Sequence, residues 1–184
     1  MNLIILDRDG VINQDSDAYI KSPEEWIPIA ESLEAIAKLN RAGYRVFVAT
    51  NQSGLARGLF DIETLNAIHR KMTGAVQEVG GSIDAILFCP HAPDDACGCR
   101  KPKPGLYEEI ARRTQQSLRG VPVVGDSVRD IEAALEVEAN PVLVRTGKGE
   151  RAEVQLKKAH PQVAVYKNLS SFTEQLIRQD RTDR

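Results

Sequence analysis

Asp7-Arg8-Asp9-Gly10-Val11-Ile12-Asn13 directly follows the apolar run Leu3-Ile4-Ile5-Leu6. The run reads as a buried strand. Two carboxylates at i and i+2 leave its carboxyl end, and in extended backbone such side chains point to the same side. Gly10 lets the chain turn away and lets backbone N–H groups approach a ligand. Like charges this close are costly unless a cation or a shared proton offsets them. One chemistry needs this arrangement: a carboxylate attacks phosphorus, a neighbouring carboxyl protonates the leaving group, and Mg²⁺ holds the charges together. A plain acidic turn would use the same residues, so the rest of the chain has to decide.

Downstream, strand-like runs alternate with helical patterns. Strands are expected over Asn2–Leu6, Tyr44–Ala49, Ala85–Phe88, Val121–Val124 and Pro141–Val144, with a short sixth over Val163–Val165. Helices are expected over Ala30–Ala42, from an Asp61 cap to Val79, from Pro104 to Leu118, over Val128–Val137 and over Ser171–Arg178. The alternation predicts an α/β fold in three layers, Rossmann-like, with a central parallel sheet covered on both faces. The polar signals fall where strands end, at Asp7, Thr50, Cys89 and Asp126. Open α/β sheets bind ligands there. Residues 1–178 read as a single domain and 179–184 as a charged, frayed tail.

With 24 basic and 26 acidic residues the formal net charge is −2, which gives no electrostatic case for nucleic acid or an anionic membrane. No apolar run approaches a membrane span, and Asp7 interrupts any signal-peptide core. A cytoplasmic monomer is the expectation.

Three further segments carry chemistry. Thr50-Asn51-Gln52-Ser53-Gly54 offers hydroxyl, carboxamide and backbone donors to an oxyanion, although Thr50 could equally cap a helix. Arg100-Lys101-Pro102-Lys103-Pro104-Gly105 presents cations on a loop stiffened by two prolines. In Val124-Gly125-Asp126-Ser127-Val128-Arg129-Asp130, Asp126 and Asp130 share one face of a starting helix, a position that also suits simple capping. Asp7 plus Asp126, with a backbone carbonyl near Asp9, would suit Mg²⁺.

These four motifs, in this order, resemble those of the haloacid dehalogenase (HAD) superfamily of phosphohydrolases. The resemblance implies that Asp7 is the nucleophile and forms an aspartyl-phosphate. Asp9 would be the general acid and then the base. Thr50 and Lys101 would stabilise the transferring phosphoryl group, with Lys103 as a rival for the lysine. Asp7, Asp126 and the Asp9 carbonyl would hold Mg²⁺, with Asp130 either outer to the metal or paired with a lysine.

All three cysteines lie between positions 89 and 99, a poor disulfide framework. Cys89-Pro90-His91 and Cys97-Gly98-Cys99 supply three thiolates and an imidazole, a closed set that favours structural tetrahedral Zn²⁺. The last ligand immediately precedes Arg100 and Lys101. With Asp7–Asn13, Thr50–Gly54, Cys99–Pro102 and Val144–Gly147, this loop narrows the resemblance to D-glycero-D-manno-heptose 1,7-bisphosphate 7-phosphatases and the related histidinol-phosphatase branch. That resemblance implies no large cap domain. It also implies that Asp15 to Tyr19, Asn51, Gln52, Ser53 and Arg100 contact a small phosphorylated sugar. Hydrolysis of the 7-phosphate in nucleotide-activated heptose biosynthesis is the leading expectation. Histidinol-phosphate hydrolysis and a catalytically idle interaction domain are the alternatives.

Overall fold

The computed structural model describes residues 2–182. The opening apolar run is strand β1, Asn2–Leu6, and its last four residues are buried. Helix α1, Ala30–Arg41, leads to β2, Tyr44–Asn51, and α2, Ile62–Glu78, leads to β3, Ala85–Cys89. The second half repeats the alternation: α3 Gly105–Thr114, β4 Pro122–Gly125, α4 Val128–Glu136, β5 Asn140–Val144, α5 Gly149–Ala159, β6 Ala164–Tyr166 and α6 Leu169–Thr182.

The sheet order is β3-β2-β1-β4-β5-β6 and every pairing is parallel. Strand alternation divides the core. Ile4 and Leu6 join Leu33 and Ile36 of α1, Ile68 and Met72 of α2, and Phe172 of α6 on one face. Leu3 and Ile5 join Leu106 and Ile110 of α3 and Ala133 of α4 on the other. Leu143, Ala152 and Leu156 seat α5. Each fully buried aliphatic side chain contributes about 1.5–3 kcal/mol. The chain builds outward from β1 in both directions, so the order reverses at β1/β4, where an open α/β sheet leaves its crevice. The expected three-layer α/β architecture is therefore the one found. No cap domain interrupts it among the described residues, and no described helix is long and apolar enough to cross a membrane.

Several boundaries differ from expectation. β2 continues through Asn51, so Thr50 lies inside a strand and caps no helix. α3 stops at Thr114, four residues early, because Gln115 takes a left-handed conformation that closes the helix. α5 was not anticipated at all. α6 runs to Thr182 and so covers most of the stretch expected to fray. The Tyr44 hydroxyl donates to Asp180 there at 2.7 Å. Residues 183 and 184 of that stretch lie outside the described residues.

Candidate active site and metal centres

The carboxyl ends of β1, β2 and β4 open into a cleft of about 200 Å³. Asp7, Asp9, Asp15, Tyr19, Thr50, Asn51, Gln52, Ser53, Arg100, Lys101, Asp126 and Asp130 all line it, so residues spread over more than 120 positions meet in one place.

Lys101 is the hub. Its side chain is buried, and its Nζ lies 3.0 Å from Asp7 Oδ1 and 2.5 Å from Asp130 Oδ1, and donates to the Ala49 carbonyl at 2.8 Å. Lys103, the rival, instead donates to the Cys97 carbonyl from an exposed position outside the cleft. The Asn51 carboxamide grips both backbone groups of Lys101: Nδ2 donates to its carbonyl and Oδ1 accepts from its N–H, each at 3.1 Å. Asn51 thus holds the lysine loop on β2.

Asp7 Oδ1 accepts from the Arg8 N–H at 2.7 Å as well as facing Lys101, which leaves Oδ2 without a hydrogen-bond partner among the described residues. Asp9 is held differently. Its Oδ1 accepts from Arg8 Nε and Asn13 Nδ2, both at 2.9 Å, and its Oδ2 accepts from Arg8 NH2 and Gln52 Nε2, both at 3.0 Å. Gln52 Nε2 also donates to Thr50 Oγ1 at 2.9 Å, tying the end of β2 to the loop after β1.

Asp126 is wedged between two glycines. An added Cβ at Gly10 (φ +82°) or at Gly147 (φ +59°) would collide with Asp126 Oδ2. That oxygen accepts from the Lys148 N–H at 2.8 Å. Asp130 is occupied on both sides: beyond Lys101, its Oδ2 accepts from the Ser127 N–H and hydroxyl, closing a capping box on α4. Of the duties weighed for Asp130, capping and pairing with a lysine are met together.

Asp7, Asp126 and Asp130 place carboxylate oxygens within 4.8 Å of one another. Burial and the Asp130 charge push the Asp7 carboxyl up to about 7, against the pull of Lys101. Burial, then Asp130 and Asp7, push Asp126 up to about 8. Three carboxylates against one ammonium leave a deficit that a divalent oxygen-seeking cation matches, so the residues fit Mg²⁺. Asp9 goes the other way. Burial raises its pKa, but the Arg8 charge and the bonds from Asn13, Arg8 and Gln52 outweigh burial and hold it below the usual range.

The second cluster lies on the loop after β3. Cys89, His91, Cys97 and Cys99 also present their donor atoms within 4.8 Å of one another. Cys89 Sγ lies 3.7 Å from Cys97 Sγ and 3.2 Å from Cys99 Sγ, and His91 Nδ1 lies 3.5 and 3.3 Å from Cys89 and Cys99 Sγ. Tetrahedral Zn²⁺ at its usual bond lengths has S···S edges of ~3.8 Å. Four soft donors at nearly that spacing fit the ion.

Three polar cleft residues escaped the sequence reading. Ser127, the N-cap of α4, stands beside Asp126. Arg129 sits in the first turn of the same helix. Its charge, after burial, lowers the pKa of Arg100, and neither guanidinium has a carboxylate partner among the described residues. Lys148 bridges to Asp15 at 2.9 Å and Asp17 at 3.6 Å, so the Asp15 segment is fastened across the mouth of the cleft. The signal for Lys148 was its place one residue after Val144–Gly147; Arg129 lay unremarked between two acids.

The HAD-hydrolase-like family model matches residues 98–172. A D-glycero-beta-D-manno-heptose-1,7-bisphosphate 7-phosphatase of Bordetella bronchiseptica is 56% identical over 180 residues, 97% of this chain and 99% of the relative. Its counterpart in Pseudomonas putida is 54% identical over 96% of this chain and 100% of the relative. The crystal structure of D,D-heptose 1,7-bisphosphate phosphatase from B. bronchiseptica, complexed with magnesium and phosphate, superposes with a TM-score of 0.94 at 56% identity, covering 97% of this chain and 99% of that one. The corresponding enzyme from Burkholderia thailandensis gives 0.75 at 43% identity, over 96% and 99%.

Proposed function

Since the chain belongs to the D-glycero-beta-D-manno-heptose-1,7-bisphosphate 7-phosphatase family of HAD hydrolases, we propose that it hydrolyses the 7-phosphate of that β-anomeric sugar and leaves the 1-phosphate in place. The observation that carries the reading is the meeting of Asp7, Lys101 and Asp126 in a cleft also lined by two guanidiniums, Arg100 and Arg129, that have no carboxylate partner among the described residues. One charge set suits the phosphoryl group that is transferred, and the other suits a second phosphate that is kept.

In the first step an Asp7 oxygen attacks phosphorus, the bond from phosphorus to the sugar oxygen breaks, and Asp9 gives that oxygen a proton. In the second, water attacks the aspartyl-phosphate, Asp9 takes its proton, and Asp7 leaves as a carboxylate. The proton taken from water is the one donated in the next cycle. Asp9 is held ionised at rest, which suits the base step; the negative charge of a docked phosphate favours its protonation for the acid step. Thr50 Oγ1 accepts from Gln52, so its own O–H remains to donate to the phosphoryl oxygens. Lys101 places its charge beside the attacking carboxylate, at Asp7 Oδ1. Mg²⁺, held by Asp7, Asp126 and the Asp9 carbonyl, would neutralise charge on the phosphoryl group. Zn²⁺ on the cysteine loop would fix the segment that delivers Arg100 and Lys101.

The test is a panel of both anomers of the heptose bisphosphate, histidinol phosphate, fructose 1,6-bisphosphate and simple sugar phosphates. The β-heptose bisphosphate should show the highest kcat/KM. A preference for histidinol phosphate would transfer the chain to histidine biosynthesis, and no turnover of any ester would make it an idle domain. Asp7→Asn should abolish turnover while leaving substrate affinity far less changed.

A further inference from the structure

Arg8 stands between two cleft residues but does not line the cleft, and its side chain is 1% exposed. Two of its nitrogens go to Asp9. The third, NH1, reaches across 61 positions to His69 Nε2 on α2, at 3.2 Å. Guanidinium cannot accept, so the imidazole nitrogen must. His69 is itself buried, on a helix face otherwise made of Leu65, Ile68, Met72 and Val76. An apolar side chain would suit that face better, were the polar atom not needed. Burial and the Arg8 charge keep the imidazole neutral, its pKa lowered to about 3, so the acceptor persists at working pH.

We propose that His69 is a positioning residue: by accepting from Arg8 NH1 it fixes the plane of the guanidinium that grips both oxygens of Asp9. Without it, a fully buried donor loses its partner and the guanidinium is free to rotate toward another. The carboxyl that must meet the leaving oxygen then loses its fixed orientation. The inference rests on the phosphatase reading, because only proton transfer by Asp9 makes that orientation matter.

The experiment compares leaving groups in the first turnover. A sugar oxygen needs a proton as it departs; a dinitrophenolate does not. For His69→Leu, first-turnover cleavage of the heptose bisphosphate should fall roughly 10–100-fold, the scale seen when residues that orient reacting groups are lost. Its KM should stay within about threefold. Release of dinitrophenolate from its phosphate ester should slow by no more than about threefold. His69→Gln, whose carbonyl can accept from Arg8, should recover most of the loss. If His69→Leu does not fold, Arg8→Lys, which cannot grip both Asp9 oxygens in a planar fork, should give the same split between leaving groups. Equal slowing of both substrates, an effect confined to KM, or no slowing would overturn the proposal. A wild-type protein inactive on the heptose bisphosphate would overturn the substrate reading alone, since the comparison runs with any alkyl phosphate it accepts.

Discussion

Replacing Lys101 with methionine keeps most of the side-chain volume and removes one charge. The ammonium is 2% exposed and lies within 3.0 Å of Asp7 and 2.5 Å of Asp130, whose side chain is 1% exposed. Removing one partner of a buried ion pair costs about 3–5 kcal/mol. For a chain of this size that is a fall in Tm of roughly 6–20 °C. Urea unfolding without added Mg²⁺ would measure it. Activity should fall separately, by about 10²–10³ in kcat, the usual loss for one donor aimed at developing charge. The double variant Lys101→Met/Asp130→Asn separates the two. It removes one orphaned charge and leaves a carbonyl able to accept from Ser127, so more than half of the lost stability should return while kcat does not. Stability within about 1 kcal/mol of wild type for Lys101→Met would refute the hub assigned to this lysine. Turnover returning with stability in the double variant would refute its catalytic duty.

Cys97→Ser should lower zinc content from about one ion per chain, as metal analysis would show, and reduce kcat without any direct contact to substrate. Arg100→Ala and Arg129→Ala should each lower kcat/KM for the bisphosphate by about 10-fold or more, on the scale of one charge-assisted contact, and change kcat/KM for an aryl phosphate less; equal losses would place both groups at the transferred phosphate. The folded protein holds the His69 pKa near 3, below the 6.5 of an unfolded chain, so the unfolded state binds more protons between those values. His69 alone should therefore remove stability as pH drops from about 6.5 toward 3, with a limiting slope of about 1.4 kcal/mol per pH unit; the raised Asp7 and Asp126 carboxyls act in the opposite sense, so the difference between the wild-type and His69→Gln stability curves is the measurement that isolates it.

The elements around the reacting groups were legible because each combines a buried strand with a chemically unusual end. Leu3–Leu6 could be little but a core strand, and Asp61 caps α2 as its position suggested, accepting from the Thr64 N–H at 2.8 Å. α5 was illegible for the opposite reason. In Gly149–Ala159 only Gly149, Ala152, Glu153 and Leu156 are buried, too few apolar positions to set a period against six polar residues. Glu153 is buried through its bonds to Arg145, a pairing no local pattern reveals. The choice between Lys101 and Lys103 was a question of which one the loop turns inward. The loop turns Lys101 inward, with Asn51 gripping its backbone across fifty positions. Arg129 was hidden because adjacent acids drew the reading, although the first turn of a helix following a strand faces the same crevice as they do.

The two glycines around Asp126 bear on how the cation site is made ready. A carboxylate with backbone on both sides has almost no other rotamer to visit, so its conformational entropy is lost once, as the chain folds, and not again whenever an ion arrives. The same walls stop Asp126 from swinging away from Asp7 to relieve their repulsion. Affinity for the cation is thereby written into the backbone: the mutual repulsion stays in place until a proton or an ion relieves it, and binding needs no rearrangement of the site. Gly147→Ala, which adds one carbon outside the reacting set, should for this reason weaken Mg²⁺ activation more than it alters the sheet.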